Sequence, residues 1–211
     1  MNYLQVKTQF QAVLNRRDIT ATLTENFIQQ AIQRAQRLLR VPAMEKSVII
    51  TYLKDDESLD IPGDLLQFIN VFWQNNGNGV TTPIQIIKLT RADIGSVRDL
   101  RVSVNTPSIY ARQVDQIVVG ATPISDGSLR VDYYANFPSL SADTDHNWLT
   151  DIAPDIIIYG ALSFAADYFL DNRKDAFEQR FQEGLAELTN QAIMDELNAG
   201  AAVQPAYSMN F

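Results

Sequence analysis

At 211 residues, 46% hydrophobic and 20% charged, the chain is long enough for one sizeable core or a core with a smaller lobe, which excludes wholesale disorder. It has no cysteine, so a disulfide framework, a thiol nucleophile and cysteine-ligated zinc or iron–sulfur centres are excluded. A net charge of −8, from 25 acidic against 17 basic side chains, disfavours a protein that grips nucleic acid by neutralising phosphates.

From Tyr3 to Asn15 the apolar residues Leu4, Val6, Phe10, Val13 and Leu14 follow helical spacing. Thr24 is positioned to cap a second helix, in which Phe27, Ile28, Ala31, Ile32, Ala35, Leu38 and Leu39 keep a three-and-four spacing. Its other face carries Gln30, Gln33, Arg34, Arg37 and Arg40, read as a solvated polar stripe. Pro42 stops that helix, and the period becomes extended.

Ser47–Leu53 and Leu66–Gln74 are rich in β-branched and aromatic residues, with a turn at Ile61-Pro62-Gly63-Asp64 between them. Asn76-Gly77-Asn78-Gly79 supplies the positive φ of a hairpin turn, which pairs Leu66–Gln74 with Val80–Leu89, and Pro83 places the second strand at an edge. Thr90 is expected to cap a short helix from Arg91 to Leu100, with Asp93 in its first turn. Strands follow at Ser108–Arg112, Gln116–Ala121 and Ser128–Ala135, the last two joined by an Asp126-Gly127 hairpin turn in a small antiparallel sheet.

After a loop over Pro138–Asn147, a helix is expected up to Leu170, capped by Thr150 or Asp151 with Pro154 in its first turn. Ile156, Ile157, Tyr159, Leu162, Phe164, Ala165, Tyr168 and Phe169 fall on nearly every side of it, so it needs neighbours all round, which other copies of the chain can supply. Asp155 and Asp167 keep it from being a roughly 20-residue membrane span, and the N-terminus lacks the apolar core of a signal peptide, so a soluble protein not addressed for export is expected. The last helix shows Phe177, Phe181, Leu185, Leu188, Ala192 and Leu197 on one face and forms an antiparallel hairpin with the one before. Beyond Gly200 the segment AAVQPAYSMNF cannot build a core. The expected fold is α+β: a single domain over 1–200, its terminal helices (1–41 and 150–198) bundled around an inserted antiparallel β-rich lobe (46–136), with an extended C-terminal arm at 201–211.

Chemistry is hard to seat on this chain. Asp143-Thr144-Asp145-His146-Asn147 imitates the start of a calcium loop, but Trp148 and Pro154 stand where Gly and Glu are needed. His146 is the one histidine and has no nucleophile signature to serve; phosphate-cradling glycine motifs are also missing. Asp55, Asp56, Glu57, Asp60 and Asp64 read as exposed acids, and Tyr133-Tyr134 with Phe137 as a cluster with at least one core member. No catalytic, cofactor or metal site is expected.

A set of motifs occurs in order: Arg16-Arg17-Asp18, Leu38-Leu39-Arg40-Val41, Ile61-Pro62-Gly63-Asp64-Leu65, Tyr133-Tyr134-Ala135 before Pro138-Ser139-Leu140, Asn147-Trp148-Leu149, and Ala153-Pro154-Asp155 leading to Tyr159-Gly160-Ala161-Leu162. Over residues 3 to 190 the chain resembles the tailed-bacteriophage head-to-tail adaptor (connector) proteins. The resemblance implies a non-enzymatic virion protein, assembled in the host cytoplasm into a homo-oligomeric ring of usually twelve copies. Such a ring docks under the portal protein at the capsid vertex, receives a tail nozzle or tail-tube protein below, and passes genomic DNA without binding it specifically. C-terminal arms of the family often reach the portal, which makes Tyr207, Met209 and Phe211 the expected anchors. Trp148, Tyr159, Phe164, Tyr168, Phe169, Phe177 and Phe181 are the expected core and subunit contacts. Leu66–Gly79 and the C-terminal segment depart from the family pattern. Two other readings are a carbohydrate- or receptor-binding module acting through aromatic residues of the β lobe and, ranked last, a cation-dependent hydrolase built on Asp143–Asn147.

Overall fold

A computed structural model describes residues 1–53, 56, 58–75, 85–101, 106–121 and 126–200, with backbone alone at 101 and 195–200. The chain is mixed α and β and divides into two compact units. One comprises Met1–Ala43 and the residues from Phe137 onward; the other is Met44–Asn136.

In the first unit, α1 (Tyr3–Leu14) opens on an Asn2–Gln5 capping box, in which each side chain accepts from the other residue's backbone N–H at 2.9 and 3.0 Å. It buries Tyr3, Val6, Phe10 and Leu14, whereas Leu4 and Val13 face solvent. Helix α2 (Ala21–Leu38) starts one turn earlier than expected, because Thr20 rather than Thr24 accepts the Leu23 N–H at 3.2 Å. Thr24 is buried inside the helix, where its hydroxyl takes a hydrogen bond from Gln11 and donates to the Thr20 carbonyl. The 3₁₀ turn Pro42–Met44 leads out of the unit.

The single helix expected over 147–170 is two. Asn147, not Thr150 or Asp151, caps α4 (Trp148–Ile152) in a box with Thr150. Pro154 then starts α5 (Pro154–Tyr168): its ring disfavours a helical residue before it, and Ala153 sits at φ −139°, ψ 62°. Helix α6 (Lys174–Gly200) returns antiparallel along α5.

Helix α5 packs against α1, α2 and α6, burying Ile156, Ile157, Ile158, Ala161, Leu162, Ala165 and Ala166. Its middle is therefore covered by this chain's own helices, and no second copy is needed there. Gly160 makes the closeness possible, since a Cβ on it would sit 3.0 Å from both the Ala31 Cβ of α2 and the Phe181 ring of α6.

The second unit is a seven-stranded sheet in the order β1-β7-β3-β4-β5-β6-β2, from β1 (Glu45–Tyr52), β2 (Leu59–Asp60), β3 (Leu65–Asn75), β4 (Ile86–Arg91), β5 (Ile109–Gln113), β6 (Gln116–Val119) and β7 (Gly127–Ala135). Strands β3 and β4 pair antiparallel with Val71 opposite Leu89 and Gln74 opposite Ile86, while their Asn76–Gly79 turn and Pro83 lie outside the described residues. Strand β4 is not at an edge. It pairs β5 through Thr90 and Arg91, and that pairing is parallel, so the sheet is not wholly antiparallel.

Strand β7 does not form a hairpin with β6. Its nine residues lie between the long strands β1 and β3, whereas β6 pairs β5 and the two-residue β2, which sequence reasoning missed. Gly127 is demanded by a close approach instead: a Cβ there would lie 2.2 Å from the Tyr52 hydroxyl and 2.5 Å from the Gln74 carbonyl. The tight turn falls between β5 and β6, with Val114 at φ 55°. The short helix α3 (Ile94–Arg101) begins later than expected because Arg91 stays in β4, and Asp93 replaces Thr90 as the acceptor for its first turn, taking the Ser96 N–H at 3.0 Å. Alternation sends Val71, Trp73, Leu129, Val131 and Tyr133 to the core with Tyr52 and Leu89.

Candidate functional site

The carboxylates and the lone histidine are tied into local structure. Asp143 pairs with Lys7 at 2.6 Å; Asp145 accepts the backbone N–H groups of Ser141 and Ala142 at 2.8 and 2.7 Å, and these bonds hold its carboxyl below the usual range. His146 Nδ1 lies 2.8 Å from Asp151, whose other oxygen faces the Met1 ammonium at 3.2 Å. Asp64 accepts from Lys46 and from the Tyr133 hydroxyl at 2.7 and 2.9 Å; burial, reinforced by that bond, pushes the Tyr133 phenol up to about 12. Asp60 accepts from Gln116, Asp56 accepts the Leu53 N–H, and Asp55 and Glu57 lie outside the described residues.

The aromatic residues expected as core and subunit contacts occupy different environments. Phe177 and Phe181 are buried, and Tyr159 stacks on Phe177 at 6.4 Å while its hydroxyl accepts from Arg180 at 2.8 Å. Phe164 is half-buried beneath the Arg34 guanidinium at 5.8 Å. Phe169 is half-buried under Arg16 at 4.2 Å, and Tyr168 is exposed, its ring edge-on to Phe27 and Phe169. Trp148 is half-buried and stacks on Phe137 at 6.0 Å. Tyr207, Met209 and Phe211 lie outside the described residues.

Beside Trp148 a cavity of about 230 Å³ opens to solvent, lined by Val41, Pro42, Trp148, Ile152, Leu188 and Ala192. The Trp148 ring forms only part of the wall, so Trp148→Ala is expected to cost about 1–2 kcal/mol, less than the 3–5 kcal/mol of a fully buried ring. Urea unfolding of the two proteins measures it, and a loss above 3 kcal/mol would show a closed cavity.

The strongest polar contact of the helical unit was not anticipated. Arg34, assigned to the solvated stripe of α2, forks onto Glu178 of α6 at 2.8 and 2.5 Å, and Ser163 of α5 and Gln182 add hydrogen bonds to the same carboxylate at 2.9 and 2.8 Å. The guanidinium beside it holds the Glu178 carboxyl at about 2. The only trace of this in the sequence is an arginine bordering the apolar face of α2.

The helical unit thus presents aromatic side chains flanked by arginines and a solvent-open cavity beside Trp148, and the acids singled out from the sequence accept hydrogen bonds or form ion pairs where they are described. A search of curated proteins found no match. A family model described as SU10 adaptor protein matches residues 1–205, which takes in both units and every helix and strand described above. The chain belongs to the SU10 adaptor protein family, a family of phage head-to-tail adaptors.

Proposed function

We propose that this adaptor assembles as a homo-oligomeric ring, of twelve copies, that docks on the portal protein at the capsid vertex and joins the head to a tail nozzle or tail-tube protein. The observation that carries this reading is the family match over residues 1–205. The ring forms part of the DNA exit channel, and the acidic balance of −8 per chain supports that role, because summed negative charge repels a passing duplex instead of holding it. The protein acts without catalysis, at the head–tail interface of the virion, after assembly in the host cytoplasm.

On this reading residues 1–200 form a single adaptor domain, a bundle of the terminal helices carrying the β-rich insertion. Residues 201–211 follow α6 as an arm whose Tyr207, Met209 and Phe211 seat in the portal. Deleting 201–211 is expected to leave the urea unfolding midpoint unchanged and to abolish co-sedimentation with portal-bearing particles. Undiminished attachment of the truncated protein would overturn the anchor role, and failure of the full chain to attach would overturn the adaptor reading itself.

A further inference from the structure

The cavity beside Trp148 is built wholly from the helical unit. Val41, Pro42 and Ala43 contribute to it from the end of α2, Trp148 and Ile152 from α4, and Leu188, Gln191 and Ala192 from α6. Val41 and Ala192 are buried, whereas Ile152 is 60% exposed.

The chain that follows α6 is within reach of this hollow. From Ala192 to Gly200 the helix runs on by eight residues, about 12 Å at 1.5 Å per residue. The eleven residues beyond it, AAVQPAYSMNF, lie outside the described residues and span up to about 36 Å when extended. Pro205 bars the helix from running through them and favours extended backbone at Gln204. A return of 12 Å takes about four extended residues, which leaves about three for the reversal before Tyr207. Tyr207 is therefore the first aromatic side chain to come level with the cavity.

The chemistry of the segment matches the site. The exposed charges flanking the cavity are mixed in sign, Arg37 against Asp155 and Glu187, so they select neither an acidic nor a basic partner. Residues 201–211 carry no charged side chain at all. Tyr207, Met209 and Phe211 alternate, which puts all three on one side of an extended chain. A cavity of about 230 Å³ exceeds the roughly 150 Å³ that takes a benzene ring, and Gln191 in its lining offers an amide to a phenol hydroxyl.

We infer that this cavity is the docking site of the chain's own C-terminal segment, with the Tyr207 ring seated among Trp148, Ile152 and Leu188. The tether makes the contact intramolecular, at an effective concentration in the millimolar range, so no second copy is needed. The inference rests on the portal-arm reading above and adds its regulation: the arm stays on its own chain until the portal draws it out.

The chain has no cysteine, so introduced thiols report this contact alone. Under mild oxidation the full-length Ile152→Cys/Ser208→Cys protein, free in solution, is expected to give a faster-migrating monomer on a denaturing gel, closed into a loop between the two positions. Adding Tyr207→Ala is expected to slow that closure about tenfold. Covalent multimers would put the segment on another copy, and an open monomer would leave the cavity without it; either overturns the inference, as does closure indifferent to Tyr207. Acrylamide quenching tests the unsubstituted surface. Trp73 is buried, so Trp148 carries most of the signal, and deleting 201–211 is expected to raise quenching about twofold. Unchanged quenching would count against docking. The unfolding midpoint is silent on the contact, because urea weakens the burial of one side chain and frees the arm before the helices part. Portal-bearing particles separate the two readings: the oxidised double variant is expected not to attach until dithiothreitol reopens it. Attachment while closed would keep the docking site and remove the anchor role of the segment. Attachment of the wild type with no closure of the double variant would remove the docking site and leave the adaptor role.

Discussion

Phe181→Ala is expected to destabilise the protein by about 3–5 kcal/mol, the range for truncating a fully buried aromatic ring. The ring has no exposed surface. It lies against Gly160 of α5, and the Arg34 guanidinium of α2 stands 4.6 Å from its centroid, so three helices meet on it. Neither neighbour can collapse into the space left behind: Gly160 has no side chain to offer, and Arg34 is held by Glu178. Against the roughly 5–15 kcal/mol that hold a domain folded, such a loss is severe. Urea unfolding of wild type and variant reads it as a shift in midpoint at unchanged slope. A loss under about 1 kcal/mol would place the ring outside the core.

Arg34→Ala is expected to cost about 1–3 kcal/mol at pH 7, with a dependence on acidity that identifies its cause. The two side chains are 24% and 32% exposed, so solvent screens part of their attraction and the figure stays below that of a fully buried pair. The carboxyl of Glu178 falls from its ordinary 4.5 to about 2, chiefly through its hydrogen bonds with Arg34. A depressed carboxyl makes the unfolded chain the better proton acceptor. Its stabilising contribution is therefore complete above about pH 4.5 and fades as pH drops towards 2. The gap between wild type and Arg34→Ala should accordingly be constant from pH 7 to 5 and narrow below that. Chemical unfolding at pH 7, 5 and 3 follows it, and a gap independent of pH would mean that Arg34 contributes through packing on Phe181 alone.

Local periodicity made most of the elements legible. Three-and-four spacing marks α2 through Phe27, Ile28, Ala31, Ile32 and Ala35, and period two marks β7 through Leu129, Val131 and Tyr133, because each pattern reflects which side of a short element meets the core. Helix starts were harder to read: Thr20 and Thr24 are chemically equal candidates, and only the packing of α2 on α1 buries one and leaves the other at the end. The order of the motifs, a property of the chain alone, points to the adaptor family.

What lay beyond the sequence depends on distance along the chain. The placement of β7 between β1 and β3 joins residues 52 to 89 positions apart, so no local turn encodes it, and Gly127 reads as a hairpin glycine until Tyr52 and Gln74 are brought against it. Arg34 and Glu178 are 144 residues apart and meet only because α2 and α6 both pack on α5. The all-round apolar character of residues 147–170 was plain from composition, but its division was not. Tertiary packing covers the middle of α5 with the chain's own helices and leaves Ile152, Tyr168 and Leu170 uncovered at its ends, because α1, α2 and α6 close around the helix and not over the turns that bound it.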